Sequence, residues 1–132
     1  MLATPHEPTV FRAARQYGLL AVPSLGLLRQ LAAGRHAFET ELQLTSKLLA
    51  LSYSMQSLDM NYQPVREEAL ESTRSLVSRF PEEDRAHAQL GHALLTSNEA
   101  EADAARTQFE TCLKLNPENA YCREYLARLS SE

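Results

Sequence analysis

A chain of 132 residues, 44% of them apolar and 23% charged, is about one domain long and can bury a core without metal or disulfide staples, so disorder is not the expected state. Its net charge of −4 is unevenly spread: residues 8–38 carry Arg12, Arg15, Arg29 and Arg35 and no acid, whereas beyond residue 40 nine basic side chains face fifteen acidic ones. An acidic body argues against nucleic acid as a partner, because phosphate neutralisation supplies most of that affinity.

Segment after segment shows helical spacing, and no stretch of strict alternation bounded by hairpin signals occurs, so an all-α fold is predicted. The start, MLATPHEPT, has neither the positive charge nor the apolar core of a secretory signal. A first helix is expected from about Val10 to Ala21, capped by Thr9 after Pro8, and a second from Ser24 to Ala33, closed by Gly34. The uncharged run from Gln16 to Leu28 falls short of the roughly 20 residues that span a bilayer and is broken by Pro23, so no membrane span is expected.

A long third helix follows, with Leu44, Leu48, Leu51, Met55, Leu58 and Tyr62 spaced to line one face. Pro64, with Glu67 and Glu68 behind it, opens the next helix, which ends before RFPEED. Glu82, Glu83 and Asp84 suit the positive end of the helix after that. Asn98 to Glu101, NEAE, reads as a capping box with asparagine at the N-cap, and LNPEN puts Pro117 at the first position of the last helix.

Cys112 and Cys122 lie ten residues apart with no second pair. That spacing matches neither a zinc ligand set nor a disulfide framework, so two small buried thiols in a reducing compartment, the cytoplasm, are expected.

Fixed-period similarity appears when the chain is slid against itself. Ala69 and Pro81 recur as Ala105 and Pro117, FPEE recurs as NPEN, and Leu90-Gly91 falls in register with Leu126-Ala127, all at an offset of 36. One step earlier Gln56-Ser57 stands 34 residues before Leu90-Gly91, again with a small residue second. The run Leu90-Gly91-x2-Leu94, Ala105-x3-Phe109 and Pro117 resembles the tetratricopeptide repeat (TPR), a 34-residue helix-turn-helix unit. The resemblance covers about residues 50–129. His87 stands where the family often has tryptophan, Thr73 where it favours a large apolar residue and Gln56 where it favours leucine.

A TPR-like solenoid of antiparallel helix pairs is what the resemblance implies, as one domain: an N-terminal arm over 9–36, a first repeat with an extended first helix over 37–83, a second over 84–117 and a terminal capping helix over 118–130. Small residues mark close crossings in that family, so Ser57, Gly91 and Ala127 are expected at such crossings, with Gly91 against Ala105 and Cys112. The family's function is to hold a partner's peptide or helix in a groove lined by the first helix of each pair. Carried over to this chain, the groove residues are Leu51, Ser54, Leu58 and Asn61, then Arg85, Ala88, His92 and Leu95, then Tyr121, Glu124 and Arg128. With Arg85, Arg128 and Asn61 but no groove lysine, the lining does not match TPR domains that clamp a C-terminal carboxylate.

Catalytic patterns are missing from the sequence: there is no glycine-rich phosphate loop, no G-x-S-x-G elbow and no H-E-x-x-H, and His87 and His92 are five apart, off a common helix face. The expectation is a protein without catalytic residues, cofactor or metal that acts as an adaptor or an assembly or secretion chaperone. The alternative is a structural subunit that self-associates through its apolar N-terminal arm. That arm can cap the first repeat, dock a partner or a second copy, or serve as an arginine-rich mitochondrial targeting segment.

Overall fold

Apolar residues at helical spacing, punctuated by proline, glycine and asparagine, give this chain its elements. The computed structural model describes residues 9–19, 37–97 and 101–130. Among them the fold is all-α, with no strand: α1 (Thr9–Gln16), α2 (Ala37–Ser57), α3 (Gln63–Arg79), α4 (Asp84–Ser97), α5 (Ala102–Leu115) and α6 (Ala120–Ser130). The expected helix from Ser24 to Ala33, with its closing Gly34, and the capping asparagine Asn98 lie outside the described residues. No helix among those described is long and apolar enough to cross a membrane. The chain divides into two compact units, Met1–Ser72 and Thr73–Glu132, and the division falls within α3.

In the first unit α1 packs on α2 and buries Val10, Phe11, Ala13 and Ala14, none more than 2% exposed. It stops at Gln16, short of the predicted Ala21, because Gly18 takes a left-handed conformation with φ 73°. The Leu19 N–H then donates to the Ala14 carbonyl (2.8 Å) and the Gly18 N–H to that of Arg15 (3.1 Å), a Schellman closure of the last turn.

The leucine stripe of α2 is only partly a core stripe. Leu44 and Leu48 are buried and Leu51 and Met55 half-buried, but α2 ends at Ser57, so Leu58 and Tyr62 lie beyond it and Leu58 is 70% exposed. A second Schellman closure ends this helix, with Met60 N–H on the Met55 carbonyl (2.8 Å), Asp59 N–H on that of Gln56 (3.2 Å) and Asp59 itself at φ 55°. The Tyr62 carbonyl accepts the first bond of α3, from Arg66 N–H, with Pro64 in the first turn, where its missing N–H costs nothing.

Arg66 is buried, and its neighbours account for its charge. Its Nη2 donates to Gln56 Oε1 (2.6 Å) and its Nε to Ser52 Oγ (3.4 Å), while its guanidinium lies 4.4 Å from the Tyr62 ring centre and 5.1 Å from that of Tyr53. Gln56, which departs from the TPR leucine, is thus a hydrogen-bond acceptor for α3.

In the second unit α4 packs on α5, and α5 on α6. Gly91 meets the Phe109 ring: a Cβ built at Gly91 would lie 2.7 Å from both Cε1 and Cζ, so any side chain there would have to displace the buried ring. The expected partners Ala105 and Cys112 are both fully buried on the same helix, but the larger ring between them fills the space opposite Gly91. Glycine costs about 1 kcal/mol in a helix, and burying a phenylalanine returns roughly 1.5–3 kcal/mol. The other two small residues differ. Ser57 is the last residue of α2, Ala127 sits on a helix with none after it among the described residues, and both are exposed.

Three further expectations are corrected in this unit. Glu101 occupies the N-cap of α5 and makes no side-chain cap bond. Pro117 lies in the turn before α6, which starts at Ala120 and is capped by Asn119, whose Oδ1 accepts from the Cys122 N–H (3.1 Å). Cys112 and Cys122 are not thiols but a disulfide, with S–S 2.11 Å. The turn over 116–119 folds α6 back on α5 and brings the two Cα atoms to 6.5 Å, within bridging reach.

Candidate partner-binding face

Helical spacing puts Tyr121, Tyr125 and Arg128 on one side of α6, and the packing of α6 on α5 turns that side toward His92 of α4. The Tyr121 hydroxyl lies 2.7 Å from His92 Nδ1. Burial pushes the His92 pKa down and so favours the neutral ring, which shares this hydrogen bond with the hydroxyl. Tyr125 meets His92 edge-on at 6.0 Å between ring centres, lies 4.6 Å from Tyr121 and stacks on Phe109 at 5.4 Å. Arg128 covers the Tyr125 ring at 5.2 Å and pairs with Glu124 at 2.7 Å.

Of the residues expected here, the fold therefore brings together His92, Tyr121, Glu124 and Arg128. Leu95 is half-buried on α4, Arg85 is exposed beside Asp84, and Ala88 is 8% exposed and belongs to the packing of α4 rather than to an open surface. Tyr125 was not among the expected residues, although its place four after Tyr121 on the same helix face is a readable signal. Leu51, Ser54, Leu58 and Asn61 belong to the first unit: Leu51 is half-buried, and the other three are exposed at and beyond the end of α2.

His87 has a structural task. Its Nε2 lies 2.8 Å from the Pro81 carbonyl oxygen and its Nδ1 2.7 Å from Gln108 Oε1. A backbone carbonyl can only accept, so Nε2 donates to Pro81. The imidazole joins the turn before α4 to α5.

Asp84 organises the neighbouring turn. Its Oδ2 accepts from Asn119 (2.8 Å) and Asn116 (3.1 Å). Partial burial raises its pKa, but these two amides, its own backbone N–H and Arg85 outweigh that and leave the carboxyl below its usual value.

Among the described residues no three histidine, cysteine, aspartate or glutamate side chains group to hold a metal. What the α4–α6 face offers is a set of rings with polar tips, a chemistry suited to stacking and to hydrogen bonds from one surface. Comparison with protein families, curated proteins and solved structures returns no match for this chain.

Proposed function

We propose that the protein is a non-enzymatic, TPR-like interaction module, an adaptor or an assembly or secretion chaperone, that holds a segment of a partner protein on the face formed by α4 and α6. The observation that carries this reading is the His92, Tyr121 and Tyr125 cluster, with Tyr121 39% exposed and 4.6 Å from Tyr125, and Tyr125 edge to face with His92. Tyrosine is favoured at such surfaces because it supplies large contact area at low conformational cost. Support also comes from Gly91, whose contact with Phe109 joins two positions of the TPR-like pattern.

Helix α1, at the start of the arm, is read as a cover for the first unit, since its apolar residues are spent against α2 and not left for a second copy. A monomer is expected in light scattering. A defined oligomer would favour the alternative, a self-associating subunit. The disulfide fits a thiol-oxidising compartment better than the cytoplasm.

The test is photo-crosslinking from a benzophenone side chain placed at Glu124, beside the rings, and at Glu110, exposed on α5. Capture of the same protein from position 124 and not from 110 is expected. Equal capture from both positions would overturn the reading.

A further inference from the structure

We infer that the Cys112–Cys122 bond gates this face, which is complete only in the oxidised chain. The functional consequence rests on the reading above; the structural one does not. Helix α6 has 11 residues, too few to be stable alone, and Cys122 is its one buried residue among those described. Tyr121 and Tyr125 flank Cys122 within one turn, so whatever holds Cys122 positions both rings.

Other ties of α6 are non-covalent: Tyr125 stacks on Phe109 at 5.4 Å, Arg106 reaches the Leu129 carbonyl at 3.4 Å, Tyr121 meets His92 at an exposed position, and Asn119 holds Asp84 from the turn and not from the helix. Against these stands a covalent bond closing a loop with a sequence separation of 10. Loop closure of that size favours the docked helix on the order of 100-fold.

Closing the gate joins two thiols: each sulfur loses a proton, one S–S bond forms, and two electrons pass to an oxidising disulfide, which becomes a dithiol. Opening is the reverse. A dithiol reductant attacks one sulfur as thiolate, its second thiol resolves the mixed disulfide, and Cys112 and Cys122 leave as thiols. Neither cysteine is exposed, so a reductant reaches the bond only when α6 lifts. The gate therefore records the compartment in which the chain was oxidised and does not toggle quickly.

Amide hydrogen exchange on the full chain tests this, comparing the oxidised protein with Cys112→Ala/Cys122→Ala and with Cys112→Val/Cys122→Ala, which refills the buried volume. Both variants are expected to lose protection on the order of 100-fold across α6 while α4 and α5 keep theirs. Protection of α6 within threefold of the oxidised protein would overturn the gate. So would equal loss across α4, α5 and α6 in both variants, because the bond would then hold the whole unit and not the helix. The readout is α6 itself, so a face that captures no partner leaves this result standing and overturns only the function read from the face.

Discussion

The hydroxyl of Tyr121 on α6 hydrogen-bonds Nδ1 of His92 on α4 at 2.7 Å, and burial depresses the imidazole pKa. As pH falls through about 6.5 the unfolded chain takes up this proton before the folded one does. The folded state is thus at full strength above the ordinary histidine range, weakens as pH drops below it, and stops weakening once the folded pKa is passed. Urea midpoints at pH 7.5 and 5.5 should differ for the parent and differ less for His92→Gln. Asp84 does not contribute in that window, since its carboxyl is held below its usual range.

Gly91→Ala should destabilise although alanine is the better helix former. The new methyl would sit 2.7 Å from the Phe109 ring, and overpacking of this kind costs about 1–3 kcal/mol against a propensity gain of at most about 1 kcal/mol. Gly91→Leu should be worse. Adding Phe109→Leu to Gly91→Ala should recover part of the loss, and a double-mutant cycle in chemical denaturation measures the coupling.

Two left-handed residues should respond in opposite directions. Gly18 has φ 73° and nothing within 4 Å of a built Cβ, so Gly18→Ala costs backbone strain alone, about 1 kcal/mol. Asp59 carries that strain already at φ 55°, so Asp59→Gly should stabilise by roughly 0.5–1 kcal/mol. Thermal midpoints of the two variants should move to opposite sides of the parent.

Arg66→Lys keeps the charge but loses the fork toward Gln56 and Ser52 and the stacking on Tyr62 and Tyr53, and should cost about 1–3 kcal/mol. Arg66→Met should cost more in the parent than in Gln56→Leu, where the polar acceptor is gone as well. Equal costs in the two backgrounds would mean that the bond to Gln56 contributes nothing.

The elements that sequence made legible are those marked by punctuation acting locally. Pro64, Gly91 and the acidic residues before α4 act through φ, the absence of a side chain and the helix dipole, each independent of distant contacts. The end of α2 was hidden because Leu58 and Tyr62 continue the apolar spacing past Ser57, and nothing local announces that Asp59 will turn left-handed. The disulfide was hidden for a different reason. A separation of ten looks unremarkable until the turn over 116–119 folds it in half, and only then do the two sulfurs meet. At the candidate face, His92 and Tyr121 stand together, as the spacing expected, whereas Ala88 is buried, because spacing alone does not tell which small residue on α4 is covered.

Asp84 accepts hydrogen bonds from residues 32 and 35 further along the chain, close to the offset of 36 at which the sequence repeats. One carboxylate at the start of a helix thereby senses whether the turn one period later has formed. The start of α4 and the turn before α6 are thus coupled: fraying of the turn removes two partners of Asp84, so melting there does not stay local.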